Sequence, residues 1–109
     1  MGFLIKVLVT TLAVVVGSYI LPGVTVKDFT TAIVVAFVLG ILNAVLKPIL
    51  VILTIPVTIL TLGLFLLVIN ALIIMLTANL IDGFDVSNFW IAVIFSIIIS
   101  IISGLLTLG

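Results

Sequence analysis

The apolar residues of this chain gather in four nearly continuous runs, at 3–21, 29–46, 63–81 and 89–108. None alternates polar and apolar residues, as the strands of a membrane barrel would. Roughly 20 helical residues at 1.5 Å rise cross a hydrocarbon core of about 30 Å. Only helices and closed barrels span lipid without leaving backbone groups unpaired. The pattern therefore predicts four transmembrane helices.

Two polar interruptions break the runs, "PGVTVKDF" at 22–29 and "DGFDVSNF" at 82–89. Gly23 and Gly83 are expected to follow the first and third helices as C′ residues. Asp28, and Ser87 or Asn88, are expected to cap the helices that follow. Between them, "GVTV" and "GFDV" are short and β-prone, lie on one membrane face, and are expected to pair as a small two-stranded ribbon. Tyr19, Phe29, Phe84, Phe89 and Trp90 gather there, as interfacial aromatics do.

The two interruptions lie 60 residues apart, and that register continues on both sides: Leu4/Leu64, Leu12/Leu72, Gly23/Gly83, Val26/Val86, Phe29/Phe89, Ala32/Ala92, Ile41/Ile101 and Leu46/Leu106. Scattered Leu and Ile identities mean little in so apolar a chain. The G-x-x-V-x-x-F match is more specific, because its Gly and Phe flank a polar break. The chain thus reads as one membrane domain, a tandem repeat of two helical hairpins over about 3–49 and 63–109, joined by a linker at about 50–62. Pro48 and Pro56 interrupt helical hydrogen bonding in or beside that linker. Either the second helix continues past Pro48 and turns near Pro56, the favoured path, or the linker forms a re-entrant segment.

Composition agrees. The 109 residues are 67% hydrophobic and 6% charged. So short a chain cannot hide that much apolar surface from water. Charge then orients it. Lys6 and Lys47 share one face, for a net +2, whereas the other carries Lys27 against Asp28, Asp82 and Asp85, or +1 − 3 = −2. The positive-inside rule places both termini in the cytoplasm and the two extended loops on the opposite face. The "VGS" at 16–18 resembles a signal-peptide cleavage site, but the repeat makes this segment part of the fold.

The inventory narrows the chemistry. There is no Cys, His, Glu or Arg. Disulfides, thiolate metal sites and imidazole proton shuttles are thereby excluded. No nucleophile–base pair can be assembled, so no catalytic residue and no cofactor is expected. Asp82 and Asp85 alone make a poor cation cage, so no metal is expected either. With zero net charge, nothing points to nucleic acid.

Two polar or small-residue patterns remain. The second helix carries Ala32, Ala36, Gly40 and Ala44, and the fourth carries Ala92, Ser96, Ser100 and Gly104, each set spaced i, i+4. Such ridges let backbones approach closely in lipid. They are expected to form the contact between the second and fourth helices or an oligomer contact, or, with Ser103, to line a pore in a ring of subunits. Asn43 and Asn70 are expected inside the bundle near its cytoplasmic side. There they would bond each other or backbone groups freed by Pro48 and Pro56, or line a polar path or headgroup pocket with Thr54, Thr58 and Thr61. Lys47 reads as an interfacial anchor.

"NAVLKPILVILTIPVTILTLGLFLLVINAL" at 43–72, with the later "GFDVSNF", resembles the bacterial membrane-protein family labelled four-transmembrane phage holin, superfamily IV. The patterns N-A-x-x-K-P and P-x-T-x-L-T-L-G-x-F carry the resemblance, which extends over nearly the whole chain. It implies four helices and a bacterial inner membrane, and little about activity. The expected function is a small self-associating membrane protein, holin-like or otherwise concerned with permeability or the envelope. The alternative is an accessory subunit of a larger membrane complex. Membrane lipid and either further copies or other membrane proteins are the expected partners.

Overall fold

The computed structural model describes residues 2–61 and 63–108. Leu62 of the expected linker and Gly109 at the end of the second half lie outside them. The order is α1 (Phe3–Ile20), β1 (Val24–Val26), α2 (Phe29–Leu53), α3 (Ile55–Leu60), α4 (Phe65–Leu80), β2 (Phe84–Val86) and α5 (Phe89–Leu108). Three of these helices, α1, α2 and α5, are long and apolar enough to cross a membrane. The third apolar run forms the shorter α4 of 16 residues, about 24 Å long. Its start is delayed because Gly63, at φ +87°, turns the chain, and Phe65 N–H donates to the Thr61 hydroxyl instead of a helical carbonyl.

The chain continues helically past Pro48, the path favoured from the sequence, and breaks at Thr54 rather than at Pro56. Pro48 has no N–H, so the carbonyl of Ala44 lacks its usual helical donor. Thr54 closes α2 by donating its hydroxyl to the Leu50 carbonyl at 2.7 Å. Pro56 then sits in the first turn of α3, where its missing N–H costs nothing.

The helices pack in a ring in which α1 touches α2 and α5, and α4 touches α2 and α5. Helices α2 and α5 therefore lie diagonally. The expected direct contact between the second and fourth long helices is not how these small residues are used, because α1 and α4 stand between them. In α1, Gly17 is buried, and a Cβ there would meet the Phe95 ring of α5 at 2.8 Å.

Strands β1 and β2 pair antiparallel, Val24 with Val86, Thr25 with Asp85 and Val26 with Phe84. This is the expected ribbon. Its register is symmetric about the Thr25/Asp85 pair, as are the flanking bonds from Lys27 N–H to the Gly83 carbonyl (2.7 Å) and from Ser87 N–H to the Gly23 carbonyl (2.8 Å). Period-2 alternation turns Thr25 and Asp85 outward and Val24 and Phe84 down onto the helices. The ribbon thus lies flat as a lid on one end of the bundle. Phe84 is fully buried, not interfacial as the other aromatics led one to expect, while Tyr19 and Trp90 stay exposed.

Gly23 and Gly83 have φ of +99° and +90°. Helix α1 is capped by Leu21 and α4 by Ile81, so each glycine lies one residue beyond the expected C′ position. Pro22–Gly23, with proline first and a positive-φ glycine second, follows the type II turn pattern. The following helices are capped as expected, with Asn88 rather than Ser87 serving α5. Asn88 Oδ1 accepts from Ile91 N–H at 3.0 Å, and Asp28 Oδ1 accepts from Thr31 N–H at 2.7 Å. Asn88→Ala is expected to lower stability by about 1 kcal/mol, measurable by unfolding in detergent.

Candidate functional site: a vestibule at the lysine end

At the end opposite the ribbon, the four long helices enclose a cavity of about 480 Å³. Both remaining lysines line it, Lys6 from α1 and Lys47 from α2. Asn43 joins them from α2, Asn70 from α4, and Ser96, Ser100, Ser103 and Thr107 from α5. Several lining positions fall 60 residues apart in sequence: Thr10 and Asn70, Gly40 and Ser100, Asn43 and Ser103, Ala44 and Gly104, Lys47 and Thr107. The halves face each other across the cavity, but their chemistry differs. The first supplies both ammonium groups, and the second supplies mainly hydroxyls.

The cavity has a mouth and a floor. Lys6, Ala44, Ser100, Gly104 and Thr107 are exposed, whereas Leu39, Ile73, Ile74 and Ser96 are buried. From Thr107 to Ser96 along α5 is about 16 Å, or half of a hydrocarbon core of about 30 Å. Beyond the floor comes a dense layer of Val14, Ala32, Val35, Phe84, Ala92 and Phe95, all fully buried, with the Phe84 and Phe95 rings 6.1 Å apart. The cavity is therefore a blind vestibule.

The small residues divide between these levels. Ala32, Ala36 and Ala92 are buried toward the ribbon end and let the core close there. Gly40, Ala44, Ser96, Ser100 and Gly104 line the vestibule. At Gly104 an added Cβ would meet nothing within 4 Å, while at Gly40 it would meet the Phe3 ring at 3.1 Å. Gly40 thus lets the Phe3 ring of α1 pack close against α2, and the space beside Gly104 is open.

Asn43 and Asn70 both reach this space, and neither makes a side-chain hydrogen bond among the described residues. The expected bonds to each other or to freed backbone are not formed among the described residues; both side chains line the cavity instead. Nor are their neighbours Thr54, Thr58 and Thr61. Thr54 and Thr61 donate to backbone carbonyls around α3, and the buried Thr58 hydroxyl has no partner. The polar neighbours are the α5 serines instead. Ser96 is satisfied by the Val93 carbonyl at 2.7 Å, whereas the buried Ser103 hydroxyl has no partner. Sequence reasoning missed Thr10, Thr107 and Lys6 as lining residues. The signal was available in Thr10 and Thr107, which stand 60 positions from Asn70 and Lys47.

All three carboxylates lie far from this space by sequence and fold, on or beside the ribbon. Asp28 is held below the ordinary carboxylate range by the Thr31 backbone N–H, then by the Thr31 hydroxyl. Partial desolvation opposes the shift, and the charge of Lys27 adds to it. The cap's contribution is fully present above the ordinary value near pH 4 and is lost as pH falls through the lower folded value. Asp28→Asn, which keeps the acceptor as Asn88 does, is expected to remove this acid sensitivity without removing the cap. Unfolding measured between pH 5 and pH 2 checks it. Among the described residues no cluster of three potential metal ligands occurs.

The family model described as mycobacterial 4 TMS phage holin, superfamily IV, matches residues 1–105. An uncharacterised protein of Streptomyces coelicolor is 42% identical, over 94% of this chain and 90% of its own length. The uncharacterised membrane protein YvlD of Bacillus subtilis is 38% identical, over 96% of this chain and 89% of its own. No solved structure matches. Four apolar helices, a match over almost the whole length and two relatives of the same size make this chain a member of the four-transmembrane phage holin superfamily IV family.

Proposed function

We propose that this is a non-catalytic protein of the bacterial plasma membrane that serves the envelope by holding a ligand in a blind vestibule, and that a single bundle does not conduct. The termini and the vestibule mouth face the cytoplasm, following the +2 and −2 charge balance of the two ends. The bundle is a tandem duplication of a helical hairpin, a reading supported by the 60-residue register of the ribbon. The observation that carries the proposal is the fully buried layer between the vestibule floor and the ribbon. Among the described residues this layer separates the vestibule floor from the ribbon.

Reconstitution into vesicles tests this. Ion and small-dye flux is expected to equal that of protein-free vesicles, and a leak through the purified protein would contradict the reading. The second reading is a homo-oligomer that alters permeability, which the holin description of the family favours. It requires a ring of subunits, so a particle mass in mild detergent distinguishes it. Stoichiometric co-purification of other membrane proteins would instead make the chain an accessory subunit.

A further inference from the structure

The vestibule holds an unbalanced set of charges. Two of the three lysines of the chain line it, and among the described residues no Asp side chain does. An ammonium group drawn toward a low-dielectric interior needs a counter-charge or water to offset its desolvation. Among the described residues no side chain supplies a counter-charge here. The lining supplies hydrogen-bonding groups that suit an anion: the amides of Asn43 and Asn70, each with two N–H donors, and the Ser103 hydroxyl, buried without a partner. A buried polar atom left alone is uncommon and calls for a missing partner.

Placement narrows the anion. Lys6 and Lys47 sit near helix ends, where long side chains carry their charge to headgroup level. The floor is apolar, built from Leu39, Ile73 and Ile74. A volume of about 480 Å³ falls within the roughly 300–1,000 Å³ typical of small-molecule sites. The space suits a polyatomic anion at the mouth with room for an uncharged portion beneath it.

We infer that the vestibule binds a phosphate-bearing anion, its phosphate oxygens held by Lys6 and Lys47 and by donors from Asn43, Asn70 and Ser103. The phosphate comes either from an anionic phospholipid of the adjacent leaflet or from the free ion. This deepens the proposed function and rests on it, since a vestibule closed to the lysine side could bind neither.

The test is lipid retention. The full chain is delipidated in detergent and placed in nanodiscs of phosphatidylcholine containing a minor fraction of phosphatidylglycerol. The lipid that stays with the protein on gentle extraction is then counted by native mass spectrometry. Wild type is expected to retain phosphatidylglycerol at least ten-fold above its share. Lys6→Gln with Lys47→Gln is expected to abolish that preference, and Lys27→Gln, at the ribbon end, to leave it. Ser103→Ala, a smaller change, is expected to weaken it several-fold, which keeps the test open if the double variant is unstable. If inorganic phosphate protects a cysteine at position 100 from thiol reagent, and phosphatidylglycerol does not, the site is real and its source is the free ion. Equal retention of both lipids by wild type and variants, with no protection by phosphate, overturns the inference. If that cysteine is unreactive from the lysine side even without ligand, the vestibule reading itself fails, a result distinct from loss of lipid preference.

Discussion

Phe84→Ala is expected to lower stability by about 3–5 kcal/mol, the usual loss for an aromatic side chain removed from a tight core. Phe84 is the largest side chain by which the ribbon grips the bundle. It is fully buried, its β2 neighbours alternate outward, and its ring meets that of Phe95. The two-stranded ribbon is too small to stand alone, so it depends on this insertion, and on Val24 at the matching place in β1, to remain on the helix ends. Truncation leaves a void next to the layer that closes the vestibule floor. Phe84→Leu, which keeps most of the volume, is expected to cost less than about 1.5 kcal/mol. Thermal or denaturant unfolding in one detergent compares the two. A loss below about 1 kcal/mol for Phe84→Ala would mean that the ribbon merely rests on the bundle.

The second large effect is expected at Gly17. A Cβ there would stand 2.8 Å from the Phe95 ring and 3.3 Å from the Ile98 methyl. Phe95 is itself fully buried and cannot swing away. Gly17→Leu is therefore expected to force α1 from α5 at a cost of about 1–3 kcal/mol or more, as overpacking does. Even Gly17→Ala is expected to destabilise, although alanine is the better helix former by about 1 kcal/mol. Gly104→Ala is the matched control. It makes the same propensity change where the added methyl meets nothing, so it is expected to be neutral or mildly stabilising. If Gly17→Ala and Gly104→Ala behave alike, the close α1–α5 approach is not part of the native packing.

These residues show where sequence was informative and where it was not. The ribbon was legible because Gly23, Gly83 and the caps Asp28 and Asn88 are local signals, read from turn and capping chemistry at short range. The continuation of α2 past Pro48 was legible because nothing after it offers a stop until Thr54. Gly17 went unnoticed because its importance comes from Phe95, 78 positions away in the chain, and because Thr77, 60 positions on, is not small. The i, i+4 spacing of Gly40 and Ala44, Ser100 and Gly104 showed that each helix has a small face. Spacing along one helix does not say whether that face meets a helix or a cavity. That depended on the ring order α1–α2–α4–α5, which sets α2 and α5 on a diagonal. Asn43 and Asn70 stood out as polar residues in apolar helices, but the space they line belongs to all four helices and to no single segment.

A polar vestibule that enters from the lysine end and stops at mid-depth has a signature in which residues water-borne reagents reach. The chain has no cysteine, so single cysteines report cleanly. Ser100→Cys, Ala92→Cys and Thr25→Cys in vesicles of known orientation, each exposed to a charged, membrane-impermeant thiol reagent on one side at a time, test for that signature directly. The cysteine at position 100 is expected to react only from the lysine side, that at position 25 only from the ribbon side, and that at position 92 from neither. Reaction at position 92, or at position 100 from the ribbon side, would mean a path through the bundle. No reaction at position 100 from the lysine side would mean that the vestibule is closed to water.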